Sequence, residues 1–241
     1  MTTAARTFQD LVREGESVPV EGWDFSWFAG RATEERPPWQ YARLLGEAMA
    51  NADSALDLQT GGGEVVAGIP RPPAVLVATE SWPPNAALAG RALAPLGGTV
   101  VLCPDDGPLP FADASFDLVT SRHPTITAWP EIARVLRSGG QYLSQQIGAG
   151  SNRELYEFLM GPQPLGDARD PDRAADRARS CGLHVAELRT ASLRVQFFDI
   201  AAVIVFLRKV IWTVPDFSVQ RYRDRLRDLH AVIEQQGSFT S

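Results

Sequence analysis

The feature that most limits what this chain can fold into is an apolar run that ends on three consecutive glycines. Residues 54–58 read SALDL, and Gln59 and Thr60 lead directly into Gly61, Gly62 and Gly63. A strand that stops on glycines lets the backbone approach a ligand closely and delivers it to a helix N-terminus. Further apolar runs follow: AVLVAT at 74–79, TVVLC at 99–103, SFDLVTS at 115–121 and QYLSQQI at 141–147. Helical segments separate them, at 64–69 (stopped by Pro70 and Pro72), 85–96 (ended by Gly97 and Gly98) and 129–136. Strands that alternate with helices, each apolar almost throughout, predict an α/β protein whose parallel sheet is covered on both faces.

The flanks read differently. Phe8, Leu11 and Val12 fall at helical spacing, and residues 18–38 form an irregular aromatic stretch with Trp23, Phe25, Trp27 and Phe28. Pro37 and Pro38 suit the start of a helix carrying Trp39, Leu44, Leu45, Ala48 and Met49 on one face. The expected division is an N-terminal helical and aromatic lid over residues 1–50, then one main domain over 51–241. Beyond a glycine- and proline-containing excursion at 150–171 around a short helix at 153–159, a helix is expected at 172–180. Gly182 then leads into a sixth strand at 183–188, followed by a buried helix at 200–212. Residues 219–236 are amphipathic, and their arginines alternate with Asp224 and Asp228, which reads as a solvated helical face.

Composition removes several classes of function. The net charge of −6 argues against a nucleic-acid backbone as the main partner, because phosphate contacts need a basic face. Cys103 and Cys181 are too few for a disulfide framework, and no Cys/His spacing suggests zinc. The first residues lack a signal-peptide profile, and the longest apolar run, 200–207, is far shorter than the roughly 20 residues needed to span a bilayer. The expected setting is the cytoplasm, away from membranes.

Three motifs then occur in order: ALDLQTGGG at 55–63, LPFADASFDLV at 109–119 and RVLRSGG at 134–140. Together they resemble the class I S-adenosylmethionine-dependent methyltransferases, over about residues 51–147. The resemblance implies a Rossmann-like, mostly parallel sheet, S-adenosyl-L-methionine as cofactor and S-adenosyl-L-homocysteine as product. The glycine loop resembles the family pattern D-x-G-x-G-x-G, with Asp57 at the acid, Gly61 and Gly63 at the second and third glycines, and Gln59 in place of the first. It departs from the GxGxxG spacing of dinucleotide enzymes. The family normally closes its sheet with a final antiparallel strand. Here that strand would begin at 237–241, so the expectation is a sheet without it or one completed otherwise. An unprotected edge would invite pairing into a homodimer.

The candidate cofactor residues are Asp57, Gln59, Thr60, Gly61 and Gly63 in the loop. Glu80 ends the second strand, where an acid can accept hydrogen bonds from both ribose hydroxyls. An exposed helix-capping acid is the alternative, but a place one strand over from the glycine loop favours the ligand. Ser81, Trp82 and Asn85 follow at the adenine side; Trp82 either stacks on the base or packs on the domain. Asp105 and Asp106 follow the third strand, as adenine contacts or as turn carboxylates. Ser121, Arg122 and His123 leave the fourth strand at the edge where ligands of open α/β sheets bind. His123 is the candidate general base, with a hydrogen-bonded loop histidine as the alternative. Trp23, Trp27, Phe28 and Arg31 are candidate substrate contacts, since aromatic faces attract a sulfonium or a planar substrate. Equally, they can dock the N-terminal helix. No metal site is expected. The expected reaction is methyl transfer to a small-molecule O, N or C nucleophile. The rivals are a nicotinamide-dependent reductase, a non-catalytic S-adenosylmethionine-binding module, and a methyltransferase acting on RNA or protein.

Overall fold

A computed structural model describes residues 6–20 and 24–241. Their elements in chain order are α1 (Phe8–Ser17), β1 (Ala32–Glu34), α2 (Tyr41–Ala50), β2 (Ser54–Leu58), α3 (Glu64–Ala67), β3 (Val75–Glu80), α4 (Pro83–Leu93), β4 (Thr99–Leu102) and β5 (Phe116–Arg122). They continue with α5 (Trp129–Val135), β6 (Leu136–Gln145), α6 (Arg153–Met160), α7 (Pro171–Ser180), β7 (Val195–Phe197), α8 (Ile200–Lys209), α9 (Arg223–Gln236) and β8 (Phe239–Thr240). The chain divides into two compact units that interleave in sequence. One is built from residues 37–149 and 167–190, the other from within 1–36, 150–166 and 191–241.

The first unit holds the parallel sheet, in the order β4-β3-β2-β5-β6. All of β2 is buried, which is why SALDL carries no exposed-face alternation. Ala55, Leu76, Ala78 and Leu118 pack with Tyr41, Leu45 and Met49 of α2. Leu56, Leu58 and Val119 pack with Ile132 and Val135 of α5. The chain leaves β2 toward β3 and β4 on one side, then returns to β5 and β6 on the other. The carboxyl ends of β2 and β5 therefore flank the switch point, where ligands of such sheets bind.

Two expectations within this unit are corrected. Residues 183–188 form no strand. Leu183 packs on the α5 side of the sheet, and the following residues run without a ladder partner. The fifth strand starts at Leu136 rather than 141, directly from α5. Gly139 and Gly140, read as a turn, lie inside β6, where its pairing with β5 shifts register between Phe116 and Leu118. A Cβ on Gly140 would sit 2.9 Å from Arg137 O and 3.1 Å from Asp117 O, so the irregularity needs glycine.

The second unit is mainly helical. Nearly every residue of α8 is buried, in one core with Leu11 and Val12 of α1 and Leu226, Leu229 and Ile233 of α9. Gly15 permits the close approach of α1 to α8: a Cβ there would lie 3.0 Å from Ile204 Cβ. The Thr7–Asp10 capping box starts α1, and Asp199 caps α8 through Ala202 N at 2.8 Å. A small antiparallel sheet, β1-β7-β8, completes this unit. Val195–Phe197 thus pairs with Ala32–Glu34 and Phe239–Thr240 and does not extend the parallel sheet.

Candidate cofactor site

The turn after β2 is held from two directions. Asp57 is buried and accepts from Thr120 Oγ1 of β5 at 2.6 Å. Burial pushes its carboxyl up to about 6, against the lowering effect of the Thr120 hydroxyl. Thr60 N donates to Thr79 O at 2.9 Å, binding the turn to β3. Gly63, at φ +80, starts α3, and a Cβ there would meet Ala89 Cα of α4 at 3.2 Å. That approach explains a glycine at this position.

Glu80 is the hub of the corner. Its Oε2 accepts from Gly61 N at 2.8 Å, and its Oε1 accepts from Ser81 N and Trp82 N, both at 3.0 Å. One carboxylate joins the glycine turn to the start of α4. Beside it an open cleft of about 570 Å³ is lined by Ser81, Leu102, Cys103, Pro104, Asp105 and Asp106. Trp82 is exposed, whereas Asn85 is buried and its Oδ1 has no hydrogen-bond partner. A buried orphan acceptor is costly unless a ligand satisfies it. Ser81 joins the cleft to the Glu80 hub and its glycine turn, and this set of donors and acceptors fits a nucleoside.

Gln59 stands at φ 55, where glycine would be unstrained. Its side chain fastens the segment after β5: Oε1 accepts from Thr125 N at 2.7 Å and Thr125 Oγ1 at 2.9 Å, and Nε2 donates to Ile126 O at 2.6 Å. Thr125 Oγ1 also lies 3.1 Å from Asp105 Oδ2. Sequence reasoning missed Thr125, because only the folded sheet brings the ends of β2, β4 and β5 together.

On the other side of the switch point Ser121 is fully buried, and its Oγ lies 2.6 Å from Tyr142 OH and 3.0 Å from Ser144 Oγ. Tyr41 OH donates to Ser121 O at 3.1 Å. Burial raises the phenol pKa of both tyrosines. Arg122 is exposed. His123 stands at φ 54, its N donating to Gln145 O at 2.7 Å and its Nε2 lying 3.1 Å from Gln145 Nε2. Gln145 is buried, and its Oε1 accepts from Trp39 Nε1 at 2.9 Å. His123 as a residue is exposed, yet packing around its ring, and then Arg122, lower its pKa.

The LPFADASFDLV segment is held by Arg134 of the RVLRSGG segment. Arg134 donates to Leu109 O (3.0 Å), Phe111 O (2.8 Å), Asp113 and Glu131, while Glu131 Oε2 accepts from Leu109 N at 2.7 Å. These carboxylates hold the Arg134 guanidinium in its charged form, and Arg134 in turn lowers the Glu131 pKa.

The remaining candidates lie in the helical unit. Phe28 is part of its core, and Trp27 packs edge-to-face on it at 5.5 Å. Arg31 stacks over Trp27 at 4.3 Å and reaches Glu14 at 2.6 Å and Asp199 at 3.4 Å. Trp23 lies outside the described residues. Among the described residues no group of three or more His, Cys, Asp or Glu could hold a metal ion. No helix among them is long and apolar enough to cross a membrane.

A doubly wound parallel sheet with a glycine turn and a carboxylate hub at its switch point defines an α/β protein of the class that binds ligands at the carboxyl ends of its strands. Residues 56–144 match the family model of the methyltransferase domain. Over that stretch, rather more than a third of its length, the chain is similar to methyltransferase domains. Two solved structures share its fold. One, assigned as a methyltransferase of Bacillus halodurans, is 19% identical with a TM-score of 0.55, over 84% of this chain and 94% of that one. The other is a chain of the Haloferax volcanii complex between a methyltransferase activator and an assigned methyltransferase. It is 22% identical with a TM-score of 0.50, over 64% of this chain and 72% of that one. Among curated proteins none matches significantly.

Proposed function

We propose that the chain transfers the methyl group of S-adenosylmethionine to a small-molecule acceptor by in-line displacement. The observation that carries this reading is the Glu80 hub, which ties the glycine turn to α4 beside an open cleft. Asp57, Gln59, Thr60, Gly61 and Gly63 border the methionine and ribose portions, with Glu80 at the ribose. Ser81, Trp82, Asn85, Asp105 and Asp106 border the adenine. Ser121 and Arg122 border the cofactor where it meets the acceptor, and His123 borders the acceptor.

Bound S-adenosylmethionine supplies a methyl group whose leaving partner is a neutral thioether. The protein's work is then to hold the acceptor in line with that methyl and to exclude water, which is worth up to about 7–11 kcal/mol in favourable cases. The acidic chain favours a small acceptor over an RNA backbone. Two unbridged cysteines, Cys103 and Cys181, fit a cytoplasmic setting. The outer edge of β6 has no strand partner among the described residues, which supports pairing into a homodimer. Light scattering that gives a monomer at all concentrations removes that part.

Calorimetric titration with S-adenosylmethionine, S-adenosylhomocysteine and NADH tests the cofactor. Binding of the first two and not the third is expected; NADH binding without a response to S-adenosylhomocysteine overturns the reading. Screening small molecules with labelled cofactor then identifies the acceptor.

A further inference from the structure

The contacts around His123 fix more than its position. An indole N–H only donates, so the Gln145 atom 2.9 Å from Trp39 Nε1 is the amide oxygen. The other terminal atom of that amide is therefore NH2, which also only donates. It lies 3.1 Å from His123 Nε2, so Nε2 accepts. A neutral imidazole that accepts at Nε2 carries its proton on Nδ1. An imidazolium would set an N–H against the Gln145 NH2, and Arg122 adds a like charge beside the ring. The facing partners, Gln145 on β6 and Trp39 ahead of α2, are neutral. The backbone bond from His123 N to Gln145 O, 2.7 Å, holds the residue in this relation to β6. Because Nε2 is engaged and the residue is exposed, the edge left to meet a ligand is Nδ1–H.

We infer that His123 meets the acceptor as a neutral hydrogen-bond donor through Nδ1–H, with Gln145 and Trp39 as positioning residues that hold its tautomer. This replaces the general-base role that its location alone suggests. The acceptor class follows: a molecule with an oxygen or nitrogen lone pair for Nδ1–H, beside a nucleophile that attacks without surrendering a proton to His123. A free amine or a carbon nucleophile meets that condition; a hydroxyl that needs a base does not. The identity of the partner rests on the methyl-transfer reading, whereas the tautomer does not.

The experiment is a long-range proton–nitrogen correlation spectrum of the apo protein, labelled at histidine, from pH 6 to 8.5. His123 is expected as one neutral tautomer protonated at Nδ1 throughout. In Gln145→Glu a carboxylate replaces the amide, and the ring is expected to move its proton to Nε2 or to become charged. Trp39→Phe, which leaves the amide free to turn over, is expected to mix the two tautomers. A parent protein protonated at Nε2, or a folded Gln145→Glu variant with an unchanged His123 spectrum, overturns the inference. Neither outcome depends on cofactor binding, so failure of the methyl-transfer reading shows separately in the titration.

With the acceptor from the labelled-cofactor screen, kcat/KM is expected to be flat between pH 6.5 and 9 in its dependence on His123. His123→Ala is expected to raise KM about 10-fold, the scale of one lost hydrogen bond, and His123→Asn, which keeps an N–H donor, to recover part of it. A His123→Ala loss of about 100-fold or more in kcat, with a parent profile that rises through a histidine pKa, overturns the donor role in favour of a base.

Discussion

Glu80 Oε2 lies 2.8 Å from the backbone N of Gly61, across the gap between the ends of β3 and β2. The carboxylate that sequence reasoning assigned to a ribose is therefore also the fastening of the glycine turn, and it caps the start of α4 as well. Removing it releases three backbone donors at once.

Glu80→Ala is accordingly expected to do two things. Charge-assisted bonds of about 1.5–3 kcal/mol correspond to roughly 10- to 150-fold weaker S-adenosylhomocysteine binding, and the melting temperature should fall too. Glu80→Gln keeps one acceptor oxygen and should recover part of the stability. Calorimetry and thermal melts on the same preparations separate the effects. An unchanged affinity in a folded Glu80→Ala variant moves the ribose contact elsewhere.

Gln59→Gly should relieve backbone strain and cut three hydrogen bonds in the same step. A non-glycine residue in the left-handed region costs on the order of 1 kcal/mol, which offsets much of what those bonds contribute. Global stability should move by less than about 1 kcal/mol, while the segment after β5 loosens. Amide exchange at Thr125 and Ile126 should accelerate about 10-fold or more relative to β5. Equal protection in parent and variant would mean the segment is held by something other than Gln59.

Asp57 gives a pH dependence of stability. Its folded pKa of about 6 lies above the unfolded value of about 3.9. As pH rises between these values the unfolded chain gives up its proton while the folded one keeps it, so the Asp57 contribution favours unfolding increasingly through that window and is constant above it. Asp57→Asn, which keeps an oxygen for Thr120, removes the effect. Urea unfolding should find the variant stabilised relative to the parent by up to about 3 kcal/mol more at pH 7.5 than at pH 4. A pH-independent difference between the two would show that Asp57 titrates alike in the folded and unfolded chain, its burial offset by its hydrogen bonds.

Arg134→Met should destabilise the sheet unit by about 1–3 kcal/mol, since it removes the side-chain donor of Phe111 O and leaves Leu109 O with only Phe111 N. Circular dichroism melts measure the loss, and the S-adenosylhomocysteine affinity of the still-folded fraction should stay within a few-fold of the parent. A large loss of affinity at unchanged stability would give Arg134 a direct part in binding.

The order of β2, β3, β4 and β5 was legible because each is apolar enough to be buried on both faces, with helix stops between them. Residues 183–188 have a similar look, but a strand also needs a partner, and the sequence does not say which edge is free to supply one. Gly139 and Gly140 have the composition of a turn; only the shifted pairing with Phe116 and Leu118 makes them part of a strand. The same limit governs the site. Asp57, the glycines and Glu80 sit at strand ends, where their placement can be read from spacing. Gln145 meets His123 because β6 pairs beside β5 in the register Arg122–Gln145, and Trp39 joins them from 106 residues before Gln145. Aromatic density at Trp27 and Phe28 looks the same whether it serves a ligand or a core, and in the described residues Phe28 serves a core.

The grip of Arg134 on Leu109 and Phe111 has a consequence for how such chains are recognised. The segment that most readily marks this chain as a methyltransferase owes its placement to an arginine that touches no reacting atom on any reading of the site. A descendant that lost its chemistry but still needed a stable sheet would have every physical reason to keep LPFADASFDLV and RVLRSGG, while the residues around His123 drifted. The motif certifies the scaffold; if His123 meets the acceptor as inferred, the Trp39–Gln145–His123 chain is where a working enzyme and a retired one would first part company.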